Sequence, residues 1–216
     1  MAKKSAPGLS RERMVAAAIE ILDADGEGGL TFRALAAHLA TGAGALYWHV
    51  AGKDELLAAV SERLVAEALE AVTAHAVPRR AIRAIAASVF EAVDAHPWLG
   101  AVLSRGPWQV ATMQIFERIG RQLQAMQIGE AVQFTGASTL VSYVLGVSNE
   151  NAANRRRAEP NIDRSTFLAA EAARWKALDA EAYPFMRRMS ARLARHDDRS
   201  EFLAGIDLIL AGIDAR

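Results

Sequence analysis

A tyrosine, a tryptophan and a histidine stand in a row at Tyr47-Trp48-His49, with Arg33 upstream and Lys53 downstream. These side chains suit recognition better than bond-breaking. A guanidinium pairs with a guanine edge or a phosphate through two parallel hydrogen bonds, while hydroxyl, imidazole and ammonium groups hold phosphate oxygens. Patterns that signal catalysis are missing: there is no glycine-rich phosphate loop, no GxSxG elbow and no HExxH. The five histidines (His38, His49, His75, His96, His196) are scattered, and none stands at metal-ligand spacing from another. The absence of cysteine excludes disulfides and thiolate metal sites. Neither a metal nor a cofactor is expected, although a catalytic site assembled from distant residues leaves no local pattern to read.

The elements that must position these groups are short helices. Thr31 is a good N-cap, and Leu35 and Leu39 repeat one turn apart behind it. Ala40-Thr41-Gly42 interrupts that helix, Thr41 can cap the next, and a second helix is predicted over about 43–49. On its wheel Leu46 and Val50 face inward, which turns Gly44, Ala45, Tyr47 and Trp48 outward. Outward aromatic rings on so short a helix are costly unless something covers them. Two such helices joined by so tight a turn match a helix-turn-helix, whose second helix enters the DNA major groove.

The run Gly29-Leu30-Thr31, then Arg33, Leu35-Ala36, Leu46-Tyr47-Trp48-His49-Val50, Lys53 and Leu56-Leu57 resembles the DNA-binding domain of the TetR family of transcriptional regulators. The resemblance is dense over about 10–60 and thins beyond to a helical pattern and a C-terminal FLAGIDLILAGI. It implies an all-α protein with an N-terminal three-helix head at 1–52 and a C-terminal helical effector-binding and dimerisation domain at 53–216. It further implies a repressor that leaves a palindromic double-stranded DNA operator when a small effector binds. The DNA-facing set carried over by the resemblance is Thr31, Arg33, Thr41, Ala43, Gly44, Ala45, Tyr47, Trp48, His49 and Lys53. Ala43, Gly44 and Ala45 occupy the family's variable reading positions, where alanine touches thymine methyls and nothing more. By the resemblance, Arg33 matches a position that can reach a guanine edge and is the expected base reader, and Tyr47, His49 and Lys53 are the expected phosphate contacts.

At 216 residues the chain can bury a substantial core, and its hydrophobic content of 52%, dominated by alanine, favours helix. The opening MAKKSAPG lacks the apolar run of a signal peptide and no membrane-spanning stretch follows, so a soluble cytoplasmic protein is expected. Lys3 and Lys4 make a basic arm, either a phosphate or minor-groove contact or a solubilising tail. A formal net charge of zero is unusual for a DNA binder. It requires acids such as Glu20, Asp23, Asp25 and Glu27, late in helix 1 and its turn, to lie away from DNA.

Along the chain, helix 1 starts at Ser10, buries Met14, Val15, Ala18, Ile19 and Leu22, and ends at Asp25-Gly26. Helix 4 is expected to run from Lys53 to about Ala74, a rigid span of ~33 Å. Helices follow over about 79–95, 108–126 and 130–154, with short LGAVLS between two proline breaks. RRRAEPNID is read as a solvated helix end and loop, and His196-Asp197-Asp198 as a polar turn. Small residues on helix 8 and the apolar excess of Phe202–Ile213 point to a homodimer built from these two helices, with Ile206 and Ile209 expected at the interface.

Trp98, Arg105, Trp108, Met113, Phe116, Phe134, Tyr143 and Trp175 lie on the middle helices. Singly each reads as core packing. Together they are the expected lining of a pocket for a mostly apolar effector, with Arg105 a partner for an acidic group. The polar positions at which tetracycline-responsive members hold the drug fall on Leu69 and Ile85, so tetracycline is not expected. The alternative is a helical ligand-binding or enzymatic protein whose head no longer binds DNA.

Overall fold

The computed structural model describes residues 9–72, 77–105, 109–157 and 163–215, with the side chains of 156 and 157 excepted. The described chain is all-α. In order, the helices are α1 (Arg11–Gly29), α2 (Phe32–His38), α3 (Ala43–Leu46), α4 (Lys53–Glu70), α5 (Pro78–Ala95), α6 (Leu99–Leu103), α7 (Val110–Ala125), α8 (Glu130–Arg157), α9 (Arg164–Ala177), α10 (Pro184–Leu193) and α11 (Asp198–Asp214). The basic arm at Lys3 and Lys4, His75 and Trp108 lie outside the described residues.

Helix α1 begins where Ser10 Oγ accepts from the Arg13 amide at 3.3 Å. It kinks at Gly26, whose φ of 66° lies in the left-handed region expected of a glycine stop. One more turn follows before Leu30. The turn between α2 and α3 is a Schellman closure: Thr41 N–H donates to Ala36 C=O at 2.9 Å and Ala40 N–H to Ala37 C=O at 3.2 Å. Its left-handed position is held by Ala40 at φ 51°, where glycine is usual. Thr41 does not cap α3, because Gly42 occupies the N-cap and makes no side-chain bond. Regular helix also stops at Leu46, three residues short of the expected end, and irregular turns carry the chain to Val50.

The body is centred on α5, whose Ile82, Ile85, Val89, Phe90 and Val93 are all buried. Phe202 of α11 stacks between Phe90 and Tyr143, at centroid distances of 4.6 and 5.6 Å. Helices α8 and α11 approach closely at two glycines. A methyl on Gly136 would meet Ile213 and Leu123, and one on Gly205 would strike the Tyr143 hydroxyl. The small residues of α8 thus serve packing within the chain at Gly136. Ile206 is likewise core, with no exposed surface, and cannot be an interface residue; Leu208, 75% exposed, is the outward position. Helix α8 continues past Asn154 to Arg157, so the triple arginine ends a helix, as its charge suits. The turn at His196–Asp198 contains the N-cap of α11, where Asp197 accepts from the Ser200 amide at 2.8 Å.

Two stability predictions follow from these ends. Ala40→Gly relieves a left-handed alanine and loses some unfolded-chain restriction, for a net gain of about 0.5–1 kcal/mol that thermal melting will read. The Asp197 carboxyl is held low by hydrogen bonds from the Ser200 hydroxyl and then the Ser200 amide. A depressed folded value means the cap stabilises above the unfolded carboxylate range, near ~4, and fades as pH falls through the folded value. Asp197→Ala should therefore melt below wild type at pH ~7, and the gap should narrow as pH falls below ~4.

Candidate nucleic-acid interface

The head presents one continuous outward surface made by the start of α2 and by α3 with its trailing turn. Thr31 sits at the α2 N-cap, its Oγ1 accepting from the Ala34 amide at 3.1 Å. The hydroxyl is therefore engaged in the cap. Arg33, on the first turn of α2, is exposed and has no partner among the described residues. Phe32 meets the Tyr47 ring edge-on at 4.6 Å, which brings the start of α2 to the end of α3. Tyr47 nonetheless remains 61% exposed and Trp48 90% exposed, while Leu46 and Val50 are buried beneath them. Ala43 and Gly44 are exposed, and a methyl added at Gly44 would meet open space. Ala45, Thr41 and His49 are half-buried on the flanks. This surface can take a duplex groove against small residues, with one unpaired guanidinium and two aromatic groups at its margin.

Lys53, expected at a phosphate, also makes a bond within the chain. Its Nζ donates to the Glu27 carbonyl at 2.6 Å, tying the first turn of α4 to the end of α1. An ammonium has three N–H donors, so this bond leaves two for other oxygens.

Several acids in and next to the head have partners within the chain. Glu20 pairs with His38 at 2.9 Å, and Glu55 accepts from the Ala51 amide at 2.7 Å and from Arg11 at 3.3 Å. Asp23 Oδ1 accepts from Trp98 Nε1 at 2.7 Å and lies 2.8 Å from His96 Nδ1, and Glu27 pairs with Arg105. Asp23 and Glu27 therefore face the body, and neutrality of the whole chain leaves the outward surface of α2 and α3 without these charges.

The residues expected to line an effector pocket fall in several places. Trp98, 4% exposed, and Arg105 are the partners of Asp23 and Glu27 at the junction of head and body. Phe116 and Phe134 form a tilted pair 6.1 Å apart near the α7–α8 turn, with Phe134 mostly exposed, and Met113 is also exposed. Tyr143 belongs to the Phe202 stack and donates its hydroxyl hydrogen to the Phe202 carbonyl at 3.2 Å; burial pushes its ionisation up. Trp175 is half-buried on α9, which packs against α10. Two open cavities, of about 580 and 500 Å³, are lined by none of these residues. Sequence reasoning passed over a different group: Thr112 Oγ1 on α7 and Ser148 Oγ on α8 are buried with no hydrogen-bond partner among the described residues. A lone hydroxyl in a helix gives no sign of this until its neighbours are known.

Comparison with known proteins agrees with this geometry. Residues 14–60 match the family described as bacterial regulatory proteins, tetR family, and residues 79–216 match the tetracyclin repressor-like C-terminal domain. An HTH-type transcriptional regulator of Saccharopolyspora erythraea is 31% identical over 147 residues, which span 66% of this chain and 61% of that relative. The structure of the transcriptional regulator SCO7222, a TetR from Streptomyces coelicolor, is 48% identical, with TM-score 0.86 over 96% of this chain and 99% of that one. ActR of Streptomyces coelicolor, solved in complex with actinorhodin, is 25% identical with TM-score 0.80, covering 97% of each chain. BioQ, solved with its double-stranded DNA operator, is 32% identical with TM-score 0.61, covering 69% of this chain and 89% of that one. Matched in its head and over more than half its length beyond it, the chain belongs to the TetR family of bacterial transcriptional regulators.

Proposed function

We propose that this chain is a homodimeric repressor that holds an inverted-repeat DNA operator in the cytoplasm and releases it when a small, mostly apolar molecule binds. Residues 1–52 read DNA; residues 53–216 bind the effector and form the dimer. The observation that carries the reading is the exposure of Trp48 and Tyr47, in the turn after α3, together with Arg33 of α2, which has no partner among the described residues, above the buried Leu46 and Val50. The operator complex of BioQ and the ligand complexes of ActR support the two halves of the reading. Leu69 and Ile85 are buried apolar residues, which favours an effector without tetracycline's polar edge. Thr112 and Ser148 supply the hydroxyls that would meet the few polar atoms of such a molecule.

For the dimer, the outward faces of α8 and α11 are suited to close approach. Thr135, Thr139, Ser142 and Gly146 are exposed on one, and Ala204, Leu208, Ala211 and Gly212 on the other. Two-fold pairing along these faces sets the heads for half-sites about one DNA turn, or a multiple of it, apart.

The direct test is selection of a duplex from a random library, followed by titration of the selected operator complex with hydrophobic compounds and with tetracycline. Failure to enrich any sequence would overturn the reading. Release by tetracycline alone would overturn the choice of effector class. Arg33→Ala should relax preference at one position per half-site, costing about 1–3 kcal/mol there. Trp48→Ala should weaken operator binding while leaving the melting temperature nearly unchanged, because its ring packs on little of the protein.

Interface substitutions separate pairing from folding. Leu208→Asp should give a folded monomer by light scattering and circular dichroism, and it should lose operator affinity. Ile206→Asp places a charge in the core and should abolish the cooperative melt instead. A wild-type monomer at micromolar concentration would end the dimer proposal.

A further inference from the structure

Helices α5 and α11 run antiparallel and are laced along one edge by ion pairs. Arg79 pairs with Asp214, and Arg83 Nε lies 3.3 Å from Asp207 Oδ1. Further along, Arg199 donates twice to one oxygen of Glu91, at 2.9 and 2.7 Å. On α5 these rungs stand at 79, 83 and 91, and the rung due at 87 is missing. There α5 carries Ala87, and α11 carries buried Leu203, one turn from Arg199 and one from Asp207. The gap is the floor of an open groove of about 580 Å³, lined also by Ala84 and, beyond the end of α4, by Val72. Arg80, three residues before Arg83, stands on the same groove, exposed and without a partner among the described residues.

We infer that this groove binds a small organic carboxylate, its charged end on Arg80 and Arg83 and its apolar body along Ala84, Ala87 and Leu203. Lacing α5 to α11 accounts for the paired arginines, but it leaves Arg80 and the apolar gap without a purpose. DNA does not account for them either: the groove lies at the far end of α4 from Lys53, ~27 Å along an 18-residue helix. Three guanidiniums, of Arg80, Arg83 and Arg199, face the two carboxylates of Glu91 and Asp207, which leaves one positive charge unmatched. A carboxylate matches that single charge and fits the guanidinium fork, whereas a phosphate dianion would overfill it. The Arg83–Asp207 pair is half-exposed and long, so Arg83 can turn to a ligand at little cost. The volume suits a small molecule, and the floor is apolar enough to take its hydrocarbon part. None of the lining residues belongs to α7 or α8, so this site is separate from the hydroxyls of Thr112 and Ser148.

The inference goes beyond the regulator reading, and its test uses neither DNA nor effector. The full chain is titrated with octanoate, with its neutral amide and with acetate, by calorimetry and by the methyl resonances of Val72 and Leu203. Octanoate should shift both sets of methyls. It should bind roughly fiftyfold tighter than acetate if about three methylenes are covered by the floor. Octanamide should bind at least about tenfold more weakly than octanoate, because it lacks the charge.

Two variants place the ligand. Arg80→Gln removes a side chain that holds nothing else, so it should melt with wild type and bind octanoate about tenfold more weakly. Ala87→Glu supplies the missing rung beside Arg83 and should abolish binding while circular dichroism remains that of the folded chain. No binding at millimolar octanoate would overturn the inference. So would unchanged affinity in Arg80→Gln, or octanoate shifts that spare Val72 and Leu203. Equal affinity for octanoate and octanamide would remove the charged end from the proposal, and equal affinity for octanoate and acetate would reduce the groove to an adventitious ion site; either result overturns it.

Discussion

A helix of four residues has no stability of its own. Nucleation of a helical turn is unfavourable in water, and α3 is a single turn. Its existence depends on the burial of Leu46 and Val50 against the rest of the head and on the closed turn before it. The reading surface is thus a consequence of what lies beneath it. Small residues at Ala43 and Gly44 cost nothing in this arrangement, since they contribute no packing and leave the backbone free to approach a groove. Aromatic exposure at Trp48 is the opposite case: the ring finds no cover within the chain, and the surrounding structure holds it out.

A neutral protein that grips a polyanion must separate its charges, and here the separation follows the helices. Asp23 and Glu27 recur at i and i+4 on α1 and meet donors from the body; Glu20 meets His38 on α2. These contacts are half-exposed and contribute little to stability individually. Their effect is on where negative charge sits, and hence on the local field that a phosphate backbone meets. The same carboxylates that would oppose binding by their charge hold the head in place by their hydrogen bonds.

Much of this was legible from residue order, for reasons that can be named. Helix caps at Ser10 and Thr31, the glycine stop at Gly26 and the inward pair Leu46 and Val50 are local features, set by residues within one or two turns. So was the exposure of Tyr47 and Trp48. Long-range features were not legible. Ile206 and Leu208 are both large and apolar on one helix, and only the stripe Phe202, Leu203, Ile206, Leu210, Ile213 distinguishes the buried one from the outward one. Trp98 looked like pocket lining because size and apolarity were all that sequence revealed. The partner of its N–H, Asp23, lies seventy-five positions away, where no local pattern could announce it. The bond from Lys53 to the carbonyl of Glu27, at the end of another helix, was equally out of reach of local pattern.

The placement of Arg105 also constrains effector chemistry. As a free guanidinium among the middle helices it would have favoured an acidic ligand. Paired with Glu27, it can turn to such a ligand only by leaving an acid of the head without its partner. Among the described residues, α7 and α8 instead carry two buried hydroxyls without a hydrogen-bond partner, at Thr112 and Ser148. A hydroxyl donates and accepts, so it serves a carbonyl or a phenol equally well and does not offset a full charge. On the proposed reading, such hydroxyls suit a neutral ring system with one or two polar oxygens.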